Sequence, residues 1–170
     1  AHDQIELAAN SLLDEDKLPE LKLKIGSILY ENRASFDYQG LLFHIVDMWN
    51  EGDELVTEPE QVQLLIKLNH EAGKKAMESS AFEASTFYLR KAISMIPKEK
   101  RWEEHYSLSL ELYNCLIKAE YSNGSWGQLH ENIDEVLAQK SRSMLDKQVA
   151  YSTMITMLVV RDHDHEAAIN

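Results

Sequence analysis

One short stretch near the C-terminus combines histidine and acidic side chains that could hold a metal ion. It contains His163 and His165, interleaved with Asp162, Asp164 and Glu166. Imidazole and carboxylate groups both suit zinc. On a single helix, however, residues two apart point to different faces, so the two histidines would converge only in an extended turn. We therefore interpret the stretch as a solvated hairpin turn with aspartate caps.

The other reactive side chains form no catalytic arrangement. Acidic residues at 14–16 and at Glu103 and Glu104 flank predicted helix starts, where we expect them to be exposed to water, whereas catalytic acids need desolvated settings. The seven histidines are scattered, and the order of Ser, His and acidic residues suggests no triad. The single cysteine, Cys115, lies in an apolar helical stretch and is interpreted as a small core residue. The sequence therefore predicts a non-enzymatic chain without a cofactor.

Composition and charge limit the partners of this chain. Its 170 residues suffice for one buried core, with 44% apolar and 27% charged residues. A formal net charge of −12 repels polyanions, and no cluster of Lys and Arg offsets it, so nucleic acid is excluded as a partner. The longest apolar stretch, 154–160, is far shorter than the ~20 residues of a membrane span. We expect a cytoplasmic protein that does not enter the membrane.

Apolar residues recur at helical spacing along the chain, and Pro19 and Pro59 suit the first turns of helices. Four helices are predicted in the first half of the chain, over 3–13, about 19–31, 38–50 and 57–77. The buried stripe of the first consists of Ile5, Ala8, Ala9, Leu12 and Leu13, and that of the second of Leu21, Ile25, Ile28 and Leu29. The third stripe consists of Leu41, Leu42, Ile45, Val46 and Trp49, and the fourth of Val62, Leu65, Ile66, Asn69, Ala72, Gly73 and Ala76. Gly73 costs about 1 kcal/mol of helix propensity relative to Ala, so we expect a partner helix to approach closely there.

A turn followed by an aromatic or histidine residue recurs three times. Phe82, Trp126 and His165 mark the copies and lie 44 and 39 residues apart. Between the first two, residues 106–117 are apolar almost all round, which predicts a helix covered on both sides. Such periods are typical of stacked helix pairs. The sequence predicts an all-α stack of about eight helices, with the aromatic residues wedged between them.

The first copy resembles the tetratricopeptide repeat. The residues that carry this resemblance are Gly73, Ser80, Phe82, Tyr88, Ala92, Ile93 and Pro97. In the second copy Ile117 replaces the small residue, and the third copy is incomplete. The resemblance implies a right-handed α-solenoid of antiparallel helix pairs over residues 56–170, with the last pair truncated.

Residues 1–55 resemble a junction in large multidomain signalling kinases, where an ATPase of the signal-transducing type is followed by helical repeats. The residues concerned are His2, Asp3, Ile5, Ala8, Ala9, Leu12, Leu13, Leu21, Leu23, Ile25, Gly26 and Leu29, with Asn10 as a departure. Since the sequence lacks a start methionine and ends at Asn170, a few residues into a predicted helix, we expect both ends to be cut from a longer chain. The resemblance implies that His2 and Asp3 reach a bound nucleotide in the full-length protein. The phosphate-binding motif G-x-x-x-x-G-K-[ST] is missing here, so we expect no ATP binding by the segment alone.

Repeat stacks present a concave surface built from the first helix of each pair, and this surface is predicted to bind protein or peptide, including other domains of the same chain. The candidate groove residues are Lys67, Asn69, His70, Lys74, Glu111 and Asn114. The predicted function is a non-catalytic interaction and signal-relay segment of a signalling kinase that couples an ATPase module to downstream sensor or kinase domains. A free-standing tetratricopeptide adaptor or scaffold is the alternative.

Overall fold

The computed structural model describes the backbone of residues 15–139 and 143–167, and the side chains of residues 16–139 and 143–159. Within these ranges the chain is all-α and contains no strand. Eight α-helices are described: α1 (Leu18–Glu31), α2 (Tyr38–Glu51), α3 (Pro59–Glu78), α4 (Phe82–Ser94), α5 (Lys98–Arg101), α6 (Tyr106–Asn123), α7 (Trp126–Leu137) and α8 (Gln148–Ala167). Single 3₁₀ turns occur at Glu15–Lys17, Arg33–Ser35, Asp53–Leu55 and Leu145–Lys147. The predicted helix over 3–13 lies outside the described residues.

The chain forms two compact units, Ala1–Leu68 and Asn69–Asn170, and α3 runs through the boundary between them. The sequence predicted a functional division of the chain at residue 55, between a junction segment and the helix pairs, and that division stays a prediction. None of the described helices is both long enough and apolar enough to cross a membrane.

In the first unit α1 packs against α2. Asp37 caps α2, because its carboxylate accepts a hydrogen bond of 3.1 Å from the backbone N–H of Gly40. Four of the five residues predicted to face inward from α2 are buried: Leu42, Ile45, Val46 and Trp49. The interior of this unit is therefore built from α2 much as its periodicity predicts.

The predicted buried stripe of α1 is wrong in part, since Leu21, Ile25 and Ile28 are exposed. The helix turns Gly26 towards α2 instead, and Gly26 is buried. A Cβ added at Gly26 would lie 2.7 Å from Cδ1 of Trp49. The close approach of the two helices at a residue without a side chain outweighs the apolar stripe in setting the orientation of α1.

In the second unit α6 is the central helix, packing against α4, α7 and α8, while α7 also contacts α8. Leu112, Leu116 and Ile117 of α6 are buried, which confirms the prediction of a helix covered on both sides. Gly73 of α3 meets α4 as predicted. A Cβ there would lie 2.6 Å from Cγ of Leu89, and the Ser85 hydroxyl donates a 2.8 Å hydrogen bond to the Gly73 carbonyl.

The turns after α3 and α6 have the same geometry. Ser80, with φ 58°, and Gly124, with φ 70°, both adopt the left-handed conformation. After α3, the N–H groups of Ala81 and Ser80 donate to the carbonyls of Ala76 and Met77, at 2.8 and 3.0 Å. After α6, Ser125 and Gly124 donate in the same way to Glu120 and Tyr121. Both helices thus end in a Schellman motif, 44 residues apart.

Two details of the predicted repeat are wrong. Trp126 is no wedge between helices, since half of its surface is exposed and its ring makes an edge contact with Tyr121. At the C-terminus α8 continues to Ala167, so the backbone makes no turn at His163 and His165. That stretch contains neither Gly nor Pro, and nothing in it stops a helix.

Candidate functional site

Five of the six predicted groove residues lie in the second unit: Asn69, His70 and Lys74 on α3, and Glu111 and Asn114 on α6. His70 and Lys74 stand one turn apart. Oε1 of Glu111 lies 3.5 Å from Nε2 of His70 and 3.7 Å from Nζ of Lys74. The His70 side chain is only 12% exposed, whereas those of Lys74 and Glu111 are half exposed. One carboxylate oxygen is therefore shared by an almost buried imidazole and a solvated ammonium group.

Burial lowers the pKa of His70 below its ordinary value. The carboxylate of Glu111 opposes this shift by favouring the imidazolium, and the charge of Lys74 lowers the pKa further. Since the ordinary pKa of histidine is about 6.5, His70 is neutral at neutral pH.

Cys115 belongs to the same cluster, because its Sγ lies 3.8 Å from Nε2 of His70. It stands one helical turn beyond Glu111 on α6 and is only partly buried, so it lies nearer the surface than the predicted core position. Burial raises the pKa of the Cys115 thiol, and the charge of Glu111 raises it further. The group stays protonated at neutral pH and can donate a weak hydrogen bond, but it is a poor nucleophile.

The remaining groove candidates differ from one another. The Oδ1 atom of Asn114 is buried, and within the described part of the chain no donor reaches it. Asn69 is fully buried, so it offers no surface to a partner and its assignment to the groove is wrong. Lys67 is exposed and belongs to the first unit, so it is described apart from the cluster. Its part in a groove stays a prediction.

A buried carboxylate in the second unit was not predicted from the sequence. Glu120 of α6 is fully buried and accepts hydrogen bonds from Nε and from an Nη atom of Arg90 of α4, at 3.2 and 2.8 Å. Asn132 of α7 donates to both of its oxygens, at 3.0 and 2.8 Å. These bonds tie three helices together around one charge. The only sequence signal is that Glu120 falls on the apolar face of α6, three residues after Ile117.

Arg101 is a second buried charge that the sequence did not reveal. Its guanidinium donates to the carbonyls of Ile93 and Ile96, at 3.0 and 3.1 Å, and to the hydroxyl of Tyr113 at 3.0 Å. A cation bound to the last carbonyls of α4 satisfies groups that a helix end leaves without partners. Burial raises the pKa of Tyr113, partly opposed by Arg101, so the phenol stays neutral. This arrangement closes the end of α4, and the buried Nε of Arg101 has no hydrogen-bond partner among the described residues.

His2 and Asp3 lie outside the described residues, as do the side chains of His163 and His165. Among the side chains that the structure does describe, no group of three or more His, Cys, Asp or Glu residues is arranged to hold a metal ion.

The comparisons with known proteins found a similarity to a small part of a larger protein. Over 164 residues the chain is 27% identical to a protein of Dictyostelium discoideum, the Hybrid signal transduction histidine kinase G. The match covers 83% of this chain and 5% of that protein, so the chain spans about one twentieth of the relative it matches. No family model and no solved structure matches the chain. The described residues of this chain are thus helical, with a polar cluster between α3 and α6, and the chain is distantly similar to a small part of a histidine kinase.

Proposed function

We propose that this chain is a non-catalytic protein-interaction and signal-relay segment of a large cytoplasmic signalling kinase. The observation that carries the proposal is the similarity over most of the chain to a small part of a hybrid histidine kinase. The resemblance of residues 1–55 to the junction behind a signal-transducing ATPase supports a position between that module and downstream sensor or kinase domains. A protein or peptide is the proposed partner, with other domains of the same chain included and nucleic acid excluded by the charge.

We further propose that the helices of the second unit belong to a right-handed solenoid of antiparallel pairs of the tetratricopeptide type. The two Schellman turns at Ser80 and Gly124 support an internal repeat, because they share φ, hydrogen bonding and a 44-residue spacing. Ile117 stands where the first copy has Gly73, so the two copies differ in how closely their helices approach.

The proposed mechanism is a change in helix packing. A partner bound at the cluster of His70, Lys74 and Glu111 would favour one arrangement of the helices and so bias the neighbouring modules. This requires that the partner bind two states with different affinities. The central position of α6 supports the proposal, since this helix carries Glu111 on one turn and the buried Glu120 on another.

The proposal is tested first on the gene that encodes the segment. We expect a phosphate-binding loop upstream and a kinase or sensor domain downstream. A short reading frame without either module would contradict the kinase proposal and favour the free-standing adaptor.

A second test uses the full-length protein. The charge reversal Glu111→Lys should change autophosphorylation about threefold or more by disturbing the cluster, whereas Glu131→Lys on the exposed face of α7 should leave it unchanged. Equal autophosphorylation of both variants and the unaltered protein would show that the cluster takes no part in signal relay.

We also propose that His2 and Asp3 sense the nucleotide in the full-length protein. The support is their resemblance to the His-Asp pair of related ATPases, and the segment alone is proposed to bind no cofactor. Nucleotide affinity of the full-length protein should fall on His2→Ala, and unchanged affinity would refute the role.

A further inference from the structure

Nε2 of His70 faces one hydrogen-bond donor and one hydrogen-bond acceptor. The thiol of Cys115, at 3.8 Å, is a donor because its raised pKa keeps it protonated. The carboxylate of Glu111, at 3.5 Å, can only accept. A neutral imidazole carries its one N–H on either Nε2 or Nδ1, so Nε2 can accept from the thiol whenever Nδ1 holds the proton. The imidazolium has an N–H on both nitrogens, so its Nε2 can only donate, and the carboxylate of Glu111 is then its partner. Protonation of His70 therefore commits Nε2 to Glu111.

The same choice affects Lys74. The Glu111 oxygen that faces His70 also lies 3.7 Å from Nζ of Lys74. When His70 is neutral, Lys74 is the positive charge that the described residues place beside that oxygen. When His70 is protonated, two cations compete for the carboxylate. The almost buried imidazolium gains more from pairing with it than the solvated ammonium group does, because water stabilises the ammonium charge. Lys74 is half exposed and can turn to another anion.

We propose that the proton on His70 decides which cation binds Glu111, so that protonation of His70 releases Lys74 to bind a negatively charged group of a protein partner. The charged groups that act on His70 are Glu111 from α6 and Lys74 from its own helix, and the thiol of Cys115 is the titratable group beside it. The inference rests on the proposed peptide-binding function and adds to it the direction of its regulation and the chemistry of the partner. That partner is a peptide that presents one acidic side chain to Lys74, since the net charge of −12 repels a polyanion.

The switch is tested without any ligand by NMR of the whole chain. Between about pH 8 and pH 5.5, the side-chain signals of Lys74 should move with the same midpoint as the imidazole nitrogens of His70. In His70→Gln, which keeps a polar side chain but does not titrate in this range, the Lys74 signals should stay constant. Lys74 signals that ignore the titration of His70 in the unaltered chain would overturn the inference.

Binding is tested by fluorescence anisotropy with a rhodamine-labelled peptide of Gly and Ser that contains one Glu, and with the counterpart that contains one Lys as the charge control. The affinity for the acidic peptide should rise about threefold from pH 8 to pH 5.5, the size expected for one added surface charge. His70→Gln and Lys74→Gln should both lose this rise, and the exposed His130→Gln should keep it.

The outcomes separate the two proposals. An equal rise in His70→Gln would overturn the switch while leaving peptide binding intact. If the acidic peptide binds at no pH, the proposed site for an acidic peptide fails, and the NMR titration still decides whether His70 controls Lys74.

Discussion

At the scale of single residues, the contribution of a charged side chain to stability depends on its burial and on its hydrogen-bond partners. Glu120 is fully buried, yet four hydrogen bonds from Arg90 and Asn132 keep its carboxylate satisfied. The exposed pair of Lys100 and Glu104, at 3.2 Å, forms across one turn with more than half of each side chain in water. Little in the sequence distinguishes Glu120 from Glu104, but the two contribute differently to stability, because water screens the charge of Glu104 and not that of Glu120.

We predict that Glu120→Gln lowers the free energy of unfolding by about 2–4 kcal/mol, because it leaves Arg90 without its counter-charge and sets an amide N–H₂ against the donor of Asn132. Urea denaturation measures the change. The matched variant Glu104→Gln should cost no more than about 0.5 kcal/mol, as is usual for an exposed pair. Similar losses in the two variants would contradict a structural role for the buried carboxylate.

His70 makes stability depend on pH. Its pKa in the folded chain is lowered, chiefly by burial, so the unfolded chain binds the proton more readily. The free energy of unfolding should therefore fall as the pH drops below about 6.5 and level off below the folded-state pKa. Thermal denaturation of the unaltered chain and of His70→Gln over this range gives the contribution as a difference. Parallel curves for the two proteins would rule it out.

At the scale of helices, close approach at glycine sets the packing. Gly26 meets Trp49 in the first unit and Gly73 meets Leu89 in the second, in both cases nearer than a Cβ would permit. For Gly73 the sequence already indicated this contact, because a glycine inside an otherwise regular helix needs a reason. For Gly26 it did not, since the apolar residues Leu21, Ile25 and Ile28 competed as the buried face.

We predict that Gly73→Ala destabilises the chain by about 1–3 kcal/mol despite the better helix propensity of Ala, since its Cβ would overlap the Leu89 side chain. Adding Leu89→Ala should make the effect of Gly73→Ala smaller, and a double-mutant cycle in urea measures this coupling. Gly127→Ala is the control, because a Cβ at that exposed position meets nothing within 4 Å and should be neutral or stabilising. A neutral Gly73→Ala would mean that α3 and α4 can move apart at little cost.

At the scale of the whole molecule, the net charge of −12 governs encounters with other macromolecules. We predict no binding to duplex DNA at about 150 mM salt, even at tens of micromolar protein, because no phosphate contacts compensate the repulsion. Anisotropy of a labelled duplex measures this, with the acidic peptide described above as a comparison of equal sign. Binding of the duplex that weakens steeply with salt would reveal a basic patch and contradict the prediction.

Much of the local architecture could be predicted from the sequence. The inward residues of α2, the stripe of α3 with Gly73, the start of α3 at Pro59 and the two-sided burial of α6 all follow from periodicity and from the chemistry of Pro and Gly. The sequence named His70, Lys74 and Glu111 as groove candidates, and the structure brings these three side chains together, while their part in a groove stays a prediction. Cys115 was assigned to the core, because spacing along one helix does not show which residue of another helix faces it.

The sequence by itself determined that the chain is helical and where α2 and α3 lie, because hydrophobic periodicity and capping residues act over a few turns of the chain. Only the tertiary structure decided that α1 turns Gly26 inward, that Trp126 stays half in water, that the buried carboxylate of Glu120 is hydrogen-bonded, and that the buried Arg101 donates to the end of α4. These outcomes depend on which side chains of distant residues come within hydrogen-bonding or van der Waals distance. A local pattern contains no such information, since the partners are up to 30 residues apart, as for Arg90 and Glu120.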